Sequence, residues 1–392
     1  MKITKVLAIA LTAMLLATTM FGCGSSSQSD SGGSAGATEL ETEAEAEAEA
    51  GSETTPTTEK KSIVLISKSY QNQFYQAAFK GAMDAGEKYG FEVTTNGPDS
   101  ESNIPQQVDQ VSAAINQKPT AIALAACDPE SLQETLTKAK TNGIPVIGFD
   151  SGVPGDTSGA VVATAATDNT NAGAFVAENL FNDPTFQARM MEGTEANPAI
   201  LAILAQDSTS GSIVFRVNGF VDKMGELLQT LDGLEGAVEV TGQTIWNKAS
   251  ASPAKVKIVI TVPPSTNQAD IQTAASTMLK VPNTVALFAA NQGAVDGLLG
   301  ATADGMDLDR AAGKYKDLIV VGFDAGKGQK EAIANGSFFG SVTQDPYTMG
   351  YEAVRIAAEI AEGKTPADID TGARWYNSEN ITDPEISVLL YD

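Results

Sequence analysis

The stretch Ile144–Gly152, with the sequence IPVIGFDSG, indicates the fold of this chain. Its apolar residues continue as far as Phe149, and Asp150 then begins a turn. A short apolar run that ends in a turn is typical of a strand buried on both faces of a parallel sheet. The stretch therefore predicts an inner strand of an α/β fold, with Asp150 at the carboxyl end of that strand.

A second stretch, Leu318–Gly326, repeats this pattern as LIVVGFDAG and places Asp324 at the end of its strand. In open α/β sheets, ligands bind just beyond the carboxyl ends of the strands. Two carboxylates at two such ends, far apart in the sequence, predict two sheets that face one cleft. The alternative is that each aspartate only caps the helix that follows it. The repeated context favours a binding role.

From Ser62 onward, apolar runs of strand length alternate with amphipathic runs of helix length, and the alternation restarts after Thr167–Asn169. Repeated βα units predict doubly wound parallel sheets. No low-complexity linker separates the two halves, which favours two similar lobes joined by strands that cross between them. Val238–Ile245 is predicted as a strand and 346–362 as a long helix, whereas the polar stretch 247–257 has no clear assignment.

The overall composition limits the possible functions of the 392-residue chain. Hydrophobic residues make up 42% of it, and its formal net charge is −24. This charge argues against binding to nucleic acid or to anionic membrane surfaces, because both need cationic patches. The sequence has no histidine, which excludes histidine metal sites and histidine-based catalysis. The pattern Gly-x-Ser-x-Gly occurs only at 32–36, in a Gly/Ser-rich run without the strand and helix that such an elbow requires, and the sequence has no phosphate-binding Gly-x-x-x-x-Gly-Lys loop. We therefore predict no enzyme activity, metal or cofactor.

The N-terminal segment 1–23 has the features of an export signal. Lys2 and Lys5 precede the apolar run Val6–Leu16, which is short for a membrane span. The residues Met20–Cys23 resemble the lipobox of bacterial lipoproteins, in which the cysteine is lipidated. We predict lipidation of Cys23, and the alternative is an ordinary secretory signal that is cleaved nearby.

The following segment, 24–60, consists mainly of Gly, Ser, Thr, Glu and Ala, with Leu40 as its only large aliphatic side chain. Such a composition cannot bury enough apolar surface to fold alone, so it predicts a disordered acidic tether. The second cysteine, Cys127, then has no partner for a disulfide and is predicted to be a buried free thiol.

Several motifs occur in a characteristic order between Ser62 and the C-terminus. They are SYQNQFY (69–75), GIPVIGFD (143–150), TDN (167–169), RVNGF (216–220), FAAN (288–291), VVGFD (320–324) and TQDP (343–346). In this order the chain resembles the ribose/galactose-type periplasmic binding proteins, which are the substrate-binding components of ABC sugar importers. The resemblance implies the type I periplasmic binding protein fold: two doubly wound α/β lobes joined by a hinge of three crossings.

The resemblance also implies a set of ligand-binding residues. They are Asn72, Phe74, Tyr75, Asp150, Ser151, Asp168, Asn169, Arg216, Asn291, Asp324 and Gln344. These residue types suit a sugar, because carboxylates accept from hydroxyls, amides both donate and accept, and a guanidinium donates in a fixed fork. Aromatic rings cover the apolar face of a sugar. The alternatives are that Phe74 and Tyr75 are core residues and that Arg216 is a surface charge.

Departures from the family pattern disfavour ribose itself as the ligand, and one of them is the absence of the family's aromatic residue near Ser265–Asn267. Ser151 stands where the family's ribose binders have arginine, and Ala126 stands where the family has asparagine after its third strand. A pentose, a hexose, inositol, a nucleoside and a furanose-like signal molecule all remain open as ligands.

Residues 61–167 and 345–371 are expected to form the first lobe, and residues 168–344 and 372–392 the second. The resemblance implies a monomeric, extracytoplasmic receptor that is anchored by lipid to the outer face of the cytoplasmic membrane or lies in the periplasm. It would close on a sugar-like ligand and deliver it to an ABC permease. The alternative is a sensory module that presents its closed form to a membrane receptor. A regulator of the lactose-repressor type is disfavoured, because this chain has an export signal where a DNA-binding head is needed.

Overall fold

Two β-sheets flanked by helices make up residues 61–391, the part of the chain that the computed structural model describes. The strands are β1 (Ser62–Ile66), β2 (Glu92–Asn96), β3 (Ala121–Leu124), β4 (Val146–Phe149), β5 (Val161–Ala166), β6 (Ala199–Leu204), β7 (Val238–Thr241), β8 (Val256–Thr261), β9 (Thr284–Ala289), β10 (Ile319–Phe323), β11 (Gly340–Gln344), β12 (Ile369–Asp370) and β13 (Ala373–Tyr376). The predictions for 1–23 and 24–60, including lipidation of Cys23, lie outside the described residues.

Helices connect most of these strands. The α-helices are α1 (Gln73–Tyr89), α2 (Ile104–Asn116), α3 (Gln133–Thr141), α4 (Asn169–Phe181), α5 (Pro184–Met191), α6 (Gly211–Leu228), α7 (Gln268–Met278), α8 (Gln292–Ala301), α9 (Lys327–Ala334), α10 (Pro346–Ala361) and α11 (Pro384–Ser387). Short 3₁₀ turns occur at Glu130–Leu132, Thr244–Trp246 and Met306–Leu308. No helix within residues 61–391 combines the length and the apolar character that a membrane span requires.

Both sheets are dominated by parallel pairing. The first has the strand order β12-β5-β4-β3-β1-β2, and the second has the order β13-β11-β10-β9-β6-β8-β7. All neighbouring strands are parallel except β13, which runs antiparallel to β11. The predicted α/β fold with parallel, doubly wound sheets is therefore confirmed.

Apolar side chains cover both faces of each sheet, which is why the inner strands read as continuous hydrophobic runs. In β6, Leu201 and Ile203 pack on the cluster that includes α4 and α6, whereas Ala202 and Leu204 pack on the cluster that includes α7 and α8. Alternate residues of β1 are divided between two clusters in the same way. Each sheet therefore lies between two layers of helices.

The chain passes between the two sheets three times, after β5, after β11 and after β12. We call the first sheet with its helices (61–166 and 346–370) the first lobe, and the second sheet with its helices (169–344 and 373–391) the second lobe. Two of the crossings lead directly into a helix whose first turn is capped by an aspartate. The carboxylate of Asp168 accepts from the backbone N–H of Asn171 at 3.0 Å, and that of Asp345 accepts from Thr348 at 2.9 Å. Thr167 also donates to the carbonyl of Gly372 at 2.9 Å, which ties the first crossing to the third.

Each lobe contains one pair of helices packed backbone against backbone through glycine. Between α1 and α10, a Cβ atom on Gly81 or Gly350 would lie within 2.0 Å of a carbonyl oxygen of the facing helix. Between α4 and α6, a Cβ atom on Gly173 or Gly219 would meet the same obstacle at 2.0 Å or less. Only glycine permits this close approach.

One predicted strand of the second lobe is shorter in the structure. Val238–Ile245 was expected to be a single strand, but β7 ends at Thr241 and Ile245 lies in a 3₁₀ turn with an exposed side chain. The cause is Gly242, whose φ of 106° breaks the extended backbone and whose missing side chain makes room for the carbonyl of Ile260. The strand β13 and the helix α5 also have no counterpart among the predicted elements.

Candidate ligand-binding site

A small cavity lies between the two lobes, at the carboxyl ends of the inner strands. Its volume is about 20 Å³, which is room for about one water molecule. We call it the central cavity. Its lining residues are Lys68, Asn72, Phe74, Tyr75, Glu101, Asp150, Ser212, Ile213, Arg216, Asn291, Gln292, Asp324 and Gln344.

On the first-lobe side, Asp150 is the carboxylate at the end of β4. It follows the strand directly and has a φ of 53°, a left-handed conformation that turns the chain at the strand end. Its Oδ2 accepts from the hydroxyl of Tyr75 at 2.7 Å, and both side chains are buried. The two aromatic rings of α1, Phe74 and Tyr75, meet edge to face with centroids 5.1 Å apart. The N-terminus of α1 thus supplies a ring and a hydroxyl to the same wall that carries the carboxylate.

A buried lysine lies beside this carboxylate. The Nζ of Lys68, just after β1, lies 3.2 Å from Glu101 and 3.9 Å from Asp150. It also approaches the hydroxyls of Ser210 and Ser212 of the second lobe at 3.4 and 3.3 Å. Burial lowers the pKa of Lys68, but the carboxylates around it outweigh burial, so its pKa is above the usual range. Lys68 is therefore a charged ammonium group that both lobes contact.

Glu101 is the acidic partner of this lysine. Burial raises the pKa of Glu101, and the charge of Lys68 offsets only part of that effect. Its Oε2 also accepts from the side-chain amide of Gln206 in the second lobe at 2.9 Å. The Lys68–Glu101 pair consequently connects the two walls of the cleft through hydrogen bonds.

On the second-lobe side, Arg216 is the main cation. It extends from α6 and is only 2% exposed. Nε and one terminal nitrogen donate to Oδ1 of Asn169 at 3.1 and 2.6 Å, and the other terminal nitrogen donates to the carbonyl of Ala290 at 2.7 Å. The guanidinium plane lies 3.5 Å from the ring centroid of Phe323. These hydrogen bonds and the cation–π contact together fix the orientation of the Arg216 guanidinium.

Asp324 is the second-lobe counterpart of Asp150. It follows β10 with a φ of 75°, so both strand-end aspartates are left-handed. Its two carboxylate oxygens accept from the side-chain amide of Gln344 at 2.7 Å and from the backbone N–H of Gln292 at 2.9 Å. Burial raises the pKa of Asp324, whereas Arg216 and the bond from Gln344 lower it in part.

The helix-capping alternative for the two strand-end aspartates does not describe these contacts. The helix after β10 is α9, whose N-cap is Gly326, and Asp150 is not the cap of any helix in residues 61–391. Instead, Asp324 accepts from the first turn of α8, which follows a different strand. Both aspartates line the central cavity.

Asparagines begin one helix on each wall of the cavity. Oδ1 of Asn72 accepts from the backbone of Phe74 at 2.9 Å and caps α1. Oδ1 of Asn291 caps α8, and its Nδ2 donates to Gln206 at 2.8 Å. As N-cap residues, both asparagines hold their side-chain amides at the N-terminus of a helix, and both line the cavity.

Three predicted site residues do not line the central cavity. Ser151 donates to the carbonyl of Ala126 at 3.0 Å, and Asp168 is exposed and caps α4. Asn169 is buried, but its carbonyl oxygen accepts from Arg216. The structure therefore places these three side chains outside the central cavity, and their direct contact with a ligand stays a prediction. The crossing at 167–169 passes beside the cavity, so only Asn169 acts on it, by orienting Arg216.

Hydrogen bonds between protein groups cross the cleft beyond the cavity. The hydroxyl of Thr266 in the second lobe lies 3.1 Å from that of Ser100 and accepts from the backbone of Ser102 at 3.0 Å. Thr209 donates to the carbonyl of Cys127 at 3.1 Å. The cleft is closed in this structure.

Comparison with known proteins identifies the family to which this fold and site belong. The family described as "Periplasmic binding protein domain" matches residues 63–365. The chain belongs to the periplasmic binding protein family. A solved structure from Brachyspira murdochii, described as "ABC transporter, LacI family transcriptional regulator", is 34% identical to this periplasmic binding protein, with a TM-score of 0.70. The similarity covers 85% of this chain and 99% of that one.

Two further relatives are named for the sugars they bind. The D-ribose/D-allose-binding protein of Pseudomonas aeruginosa is 24% identical over 332 residues, which is 84% of this chain and 91% of the relative. An ABC transporter solute-binding protein from Agrobacterium vitis, solved with bound D-fucose, is 26% identical with a TM-score of 0.66. The match covers 84% of this chain and 100% of that one.

Sequence reasoning missed five residues that line the central cavity: Lys68, Glu101, Ser212, Ile213 and Gln292. Two of them, Lys68 and Glu101, are charged. Lys68 lies in the polar segment after the first strand, and Glu101 lies in a run of polar residues before α2. A lysine or glutamate in such a segment reads as a solvated charge, because these residues are seldom buried unless paired. The only available signal was the position of Lys68, which follows the carboxyl end of an inner strand just as Asp150 does.

The lining of the central cavity has more acceptors than its own donors satisfy. Two cations, Lys68 and Arg216, face three carboxylates, those of Glu101, Asp150 and Asp324. The amide oxygens of two further lining residues, Gln292 and Gln344, have no hydrogen-bond partner among the described residues. Such a site favours an uncharged ligand that carries several hydroxyl donors and disfavours anions.

Proposed function

We propose that this protein is an extracytoplasmic solute-binding protein that captures a sugar or sugar-like ligand between its lobes and delivers it to an ABC permease. The observation that carries the proposal is the composition of the central cavity. Both lobes contribute a carboxylate at the end of a strand, and Arg216 and the amides of Asn291 and Gln344 lie around them. This mixture of fixed acceptors and donors complements vicinal hydroxyl groups.

The relatives support a carbohydrate ligand. The Pseudomonas aeruginosa relative is named for D-ribose and D-allose, and the Agrobacterium vitis structure holds D-fucose. All three are neutral monosaccharides, and neutral ligands suit the acceptor-rich lining described above. The protein would bind and release its ligand unchanged, without a cofactor or metal.

Capture would depend on closure of the lobes. A cavity of about 20 Å³ is smaller than a sugar ring, so the ligand enters an open form and holds the two lobes slightly further apart than they are here. The ligand then favours closure by bridging the two walls, and the permease recognises the closed form. We assign residues 61–167 and 345–371 to one moving lobe and residues 168–344 and 372–392 to the other, with the three crossings as the hinge.

We further propose that lipidation of Cys23 anchors this monomeric receptor to the outer face of the membrane. The lipobox-like residues Met20–Cys23 and the acidic composition of 24–60 support this part of the proposal. The tether would leave the lobes free to meet a permease in the same membrane.

The test is titration calorimetry of D-ribose, D-allose, D-fucose and D-galactose against the protein and its Asp150→Asn and Asp324→Asn variants. Each substitution removes the charged acceptor of a ligand hydroxyl, which is worth about 1.5–3 kcal/mol. We expect each variant to bind its best sugar roughly 10- to 150-fold more weakly.

A matched control is available in Asp183, which is also buried but caps α5 away from the cavity. The Asp183→Asn variant keeps a good capping residue and should bind with unchanged affinity. Thermal melts of all variants separate lost binding from lost folding. If no sugar in the panel binds, or if both site variants bind as tightly as the original protein, the proposed function is wrong.

A further inference from the structure

A second and larger cavity adjoins the central cavity on the outer side of the cleft. Its volume is about 640 Å³, and we call it the outer chamber. Three side chains line both cavities and form the wall between them: Asn72, Glu101 and Gln292. A ligand group in the central cavity that projected past these three side chains would enter the outer chamber.

The lining of the outer chamber is polar and comes from both lobes. The first lobe contributes Ser69, Gln71, Asn72, Gln73, Asp99, Ser100 and Glu101, and the second contributes Gln206, Thr266, Asn267, Gln268, Ile271, Gln292, Gly293 and Asp296. These are mainly amides, hydroxyls and carboxylates, and this lining includes neither a cation nor an aromatic ring. Phosphate and carboxylate ligands are disfavoured by the three acidic side chains. A neutral, hydroxyl-rich group fits the lining instead.

One buried side chain at the boundary lacks a partner. Gln292 is 8% exposed, and its Oε1 accepts no hydrogen bond from any described residue. A buried amide oxygen without a donor costs free energy, which a ligand hydroxyl at this position would recover. Asp296, one turn further along α8, is partly buried, and this burial raises its pKa to about 6. It would accept a hydroxyl in the outer chamber.

The outer chamber depends on closure, as the central cavity does. Ser100 from one lobe and Thr266 from the other line the chamber and lie in hydrogen-bond contact at 3.1 Å. Opening of the cleft would separate these residues and divide the lining between the two lobes. Any ligand group in the chamber would therefore add to the free energy that favours closure.

We propose that the outer chamber is a second carbohydrate subsite, which holds a hydroxyl-rich unit joined to the sugar ring in the central cavity. The ligand class is accordingly a neutral disaccharide or glycoside. A single ring already exceeds the present volume of the central cavity, so the second unit extends past Gln292 towards Asp296. This inference rests on the proposed function and names the ligand class of the same cleft.

The test compares each of two monosaccharides with disaccharides that contain it. D-Galactose is titrated beside lactose, and D-glucose beside maltose and cellobiose. We expect at least one disaccharide to bind about 10-fold more tightly than its monosaccharide, because one or two added neutral hydrogen bonds supply that difference.

Two variants then localise the gain to the chamber. The double variant Gln71→Ala, Gln268→Ala removes one exposed amide from each lobe, and Asp296→Asn replaces the partly buried carboxylate with a side chain of equal size. Each should weaken the preferred disaccharide by about 5- to 10-fold and the matching monosaccharide by less than about 2-fold. Gln229→Ala, an exposed glutamine at the end of α6 outside both cavities, is the matched control and should change neither affinity.

The outcomes separate this inference from the proposed function. If disaccharides bind no more tightly than their monosaccharides, or if the chamber variants weaken both equally, the outer subsite is refuted while monosaccharide binding stands. If no sugar binds, the proposed function fails and the subsite fails with it. Selective loss of disaccharide affinity in the chamber variants supports the inference.

Discussion

The buried ammonium group of Lys68 offers the sharpest test of how this site is held together. Replacement by methionine keeps the length of the side chain and removes its charge. The carboxylates of Glu101 and Asp150 would then remain buried without the cation that lies 3.2 and 3.9 Å from them. We expect Lys68→Met to lower the free energy of unfolding substantially.

The magnitude follows from these distances. At an effective dielectric constant of about 20, the two attractions amount to about 5 and about 4 kcal/mol before the cost of burial is subtracted. Removal of one partner from a buried pair costs about 3–5 kcal/mol in practice, because the remaining charge is uncompensated. The total stability of a protein of this kind is about 5–15 kcal/mol, so the variant should fold but be clearly weakened.

The loss should also depend on pH. Burial raises the pKa of Glu101 even with Lys68 present, and removal of the lysine raises it further. When the pKa of a carboxyl group is higher in the folded state than in the unfolded state, the protein becomes less stable as pH rises through the folded-state pKa. That stability returns as pH falls below the unfolded-state pKa. The destabilisation by Lys68→Met should therefore be larger at pH 7.5 than at pH 5.

The assay is urea denaturation, followed by circular dichroism, of Lys68→Met, Glu101→Gln and the double variant at both pH values. The double variant should be more stable than Lys68→Met, because it no longer buries the unpaired glutamate. Lys80→Met is the control. Lys80 forms an ion pair with Asp84 at 2.7 Å, but both side chains are exposed, so the substitution should have little effect on stability. A loss of stability that is additive in the double variant and independent of pH would refute the reasoning.

Two further predictions concern closure and anchoring. A Cβ atom on Gly211 of the second lobe would lie 2.6 Å from the carbonyl oxygen of Ser151 and 2.9 Å from Pro154 in the first. Gly211→Ala should therefore prevent full closure and weaken sugar binding with little change in melting temperature; a wild-type affinity together with the closed dimensions in small-angle scattering would contradict this. Cys23→Ser should move the protein from the membrane fraction to the soluble fraction, and an unchanged membrane fraction would exclude the lipid anchor.

Sequence patterns predicted the two parallel sheets because each inner strand is a short apolar run ended by a turn. The stretches around Asp150 and Asp324 gave the clearest signal, and both aspartates lie at the central cavity. The same patterns did not predict β13, because a single antiparallel strand that follows β12 directly belongs to no repeated βα unit. Gly242 ends β7 through its positive φ, and that conformation is not evident from an alternating run of residues.

The composition of the site was less accessible from sequence than the fold. Arg216 reads equally well as a surface charge on a helix, and its burial follows only from the positions of Asn169 and Phe323 in three dimensions. Lys68 and Glu101 belong to polar segments separated by two elements, and their pairing depends on how β1 and α2 pack. A charge pair between residues far apart in the sequence produces no local pattern, so the sequence alone does not predict it.

The glycine contacts between helices have a mechanical consequence for the hinge. Two of the three crossings lead directly into α4 and α10, and both helices are locked against a neighbour at the shortest distance that a backbone allows. Two helices that contact each other through their backbones cannot easily shift relative to each other. A rotation of the backbone at the crossing is therefore transmitted to the whole lobe with little internal deformation. Gly173 also lies against the backbone carbonyl of Arg216, which couples α4 to the residue whose guanidinium lines the central cavity. The angle between the two lobes and the position of Arg216 therefore change together, because α4 and α6 move as one rigid unit.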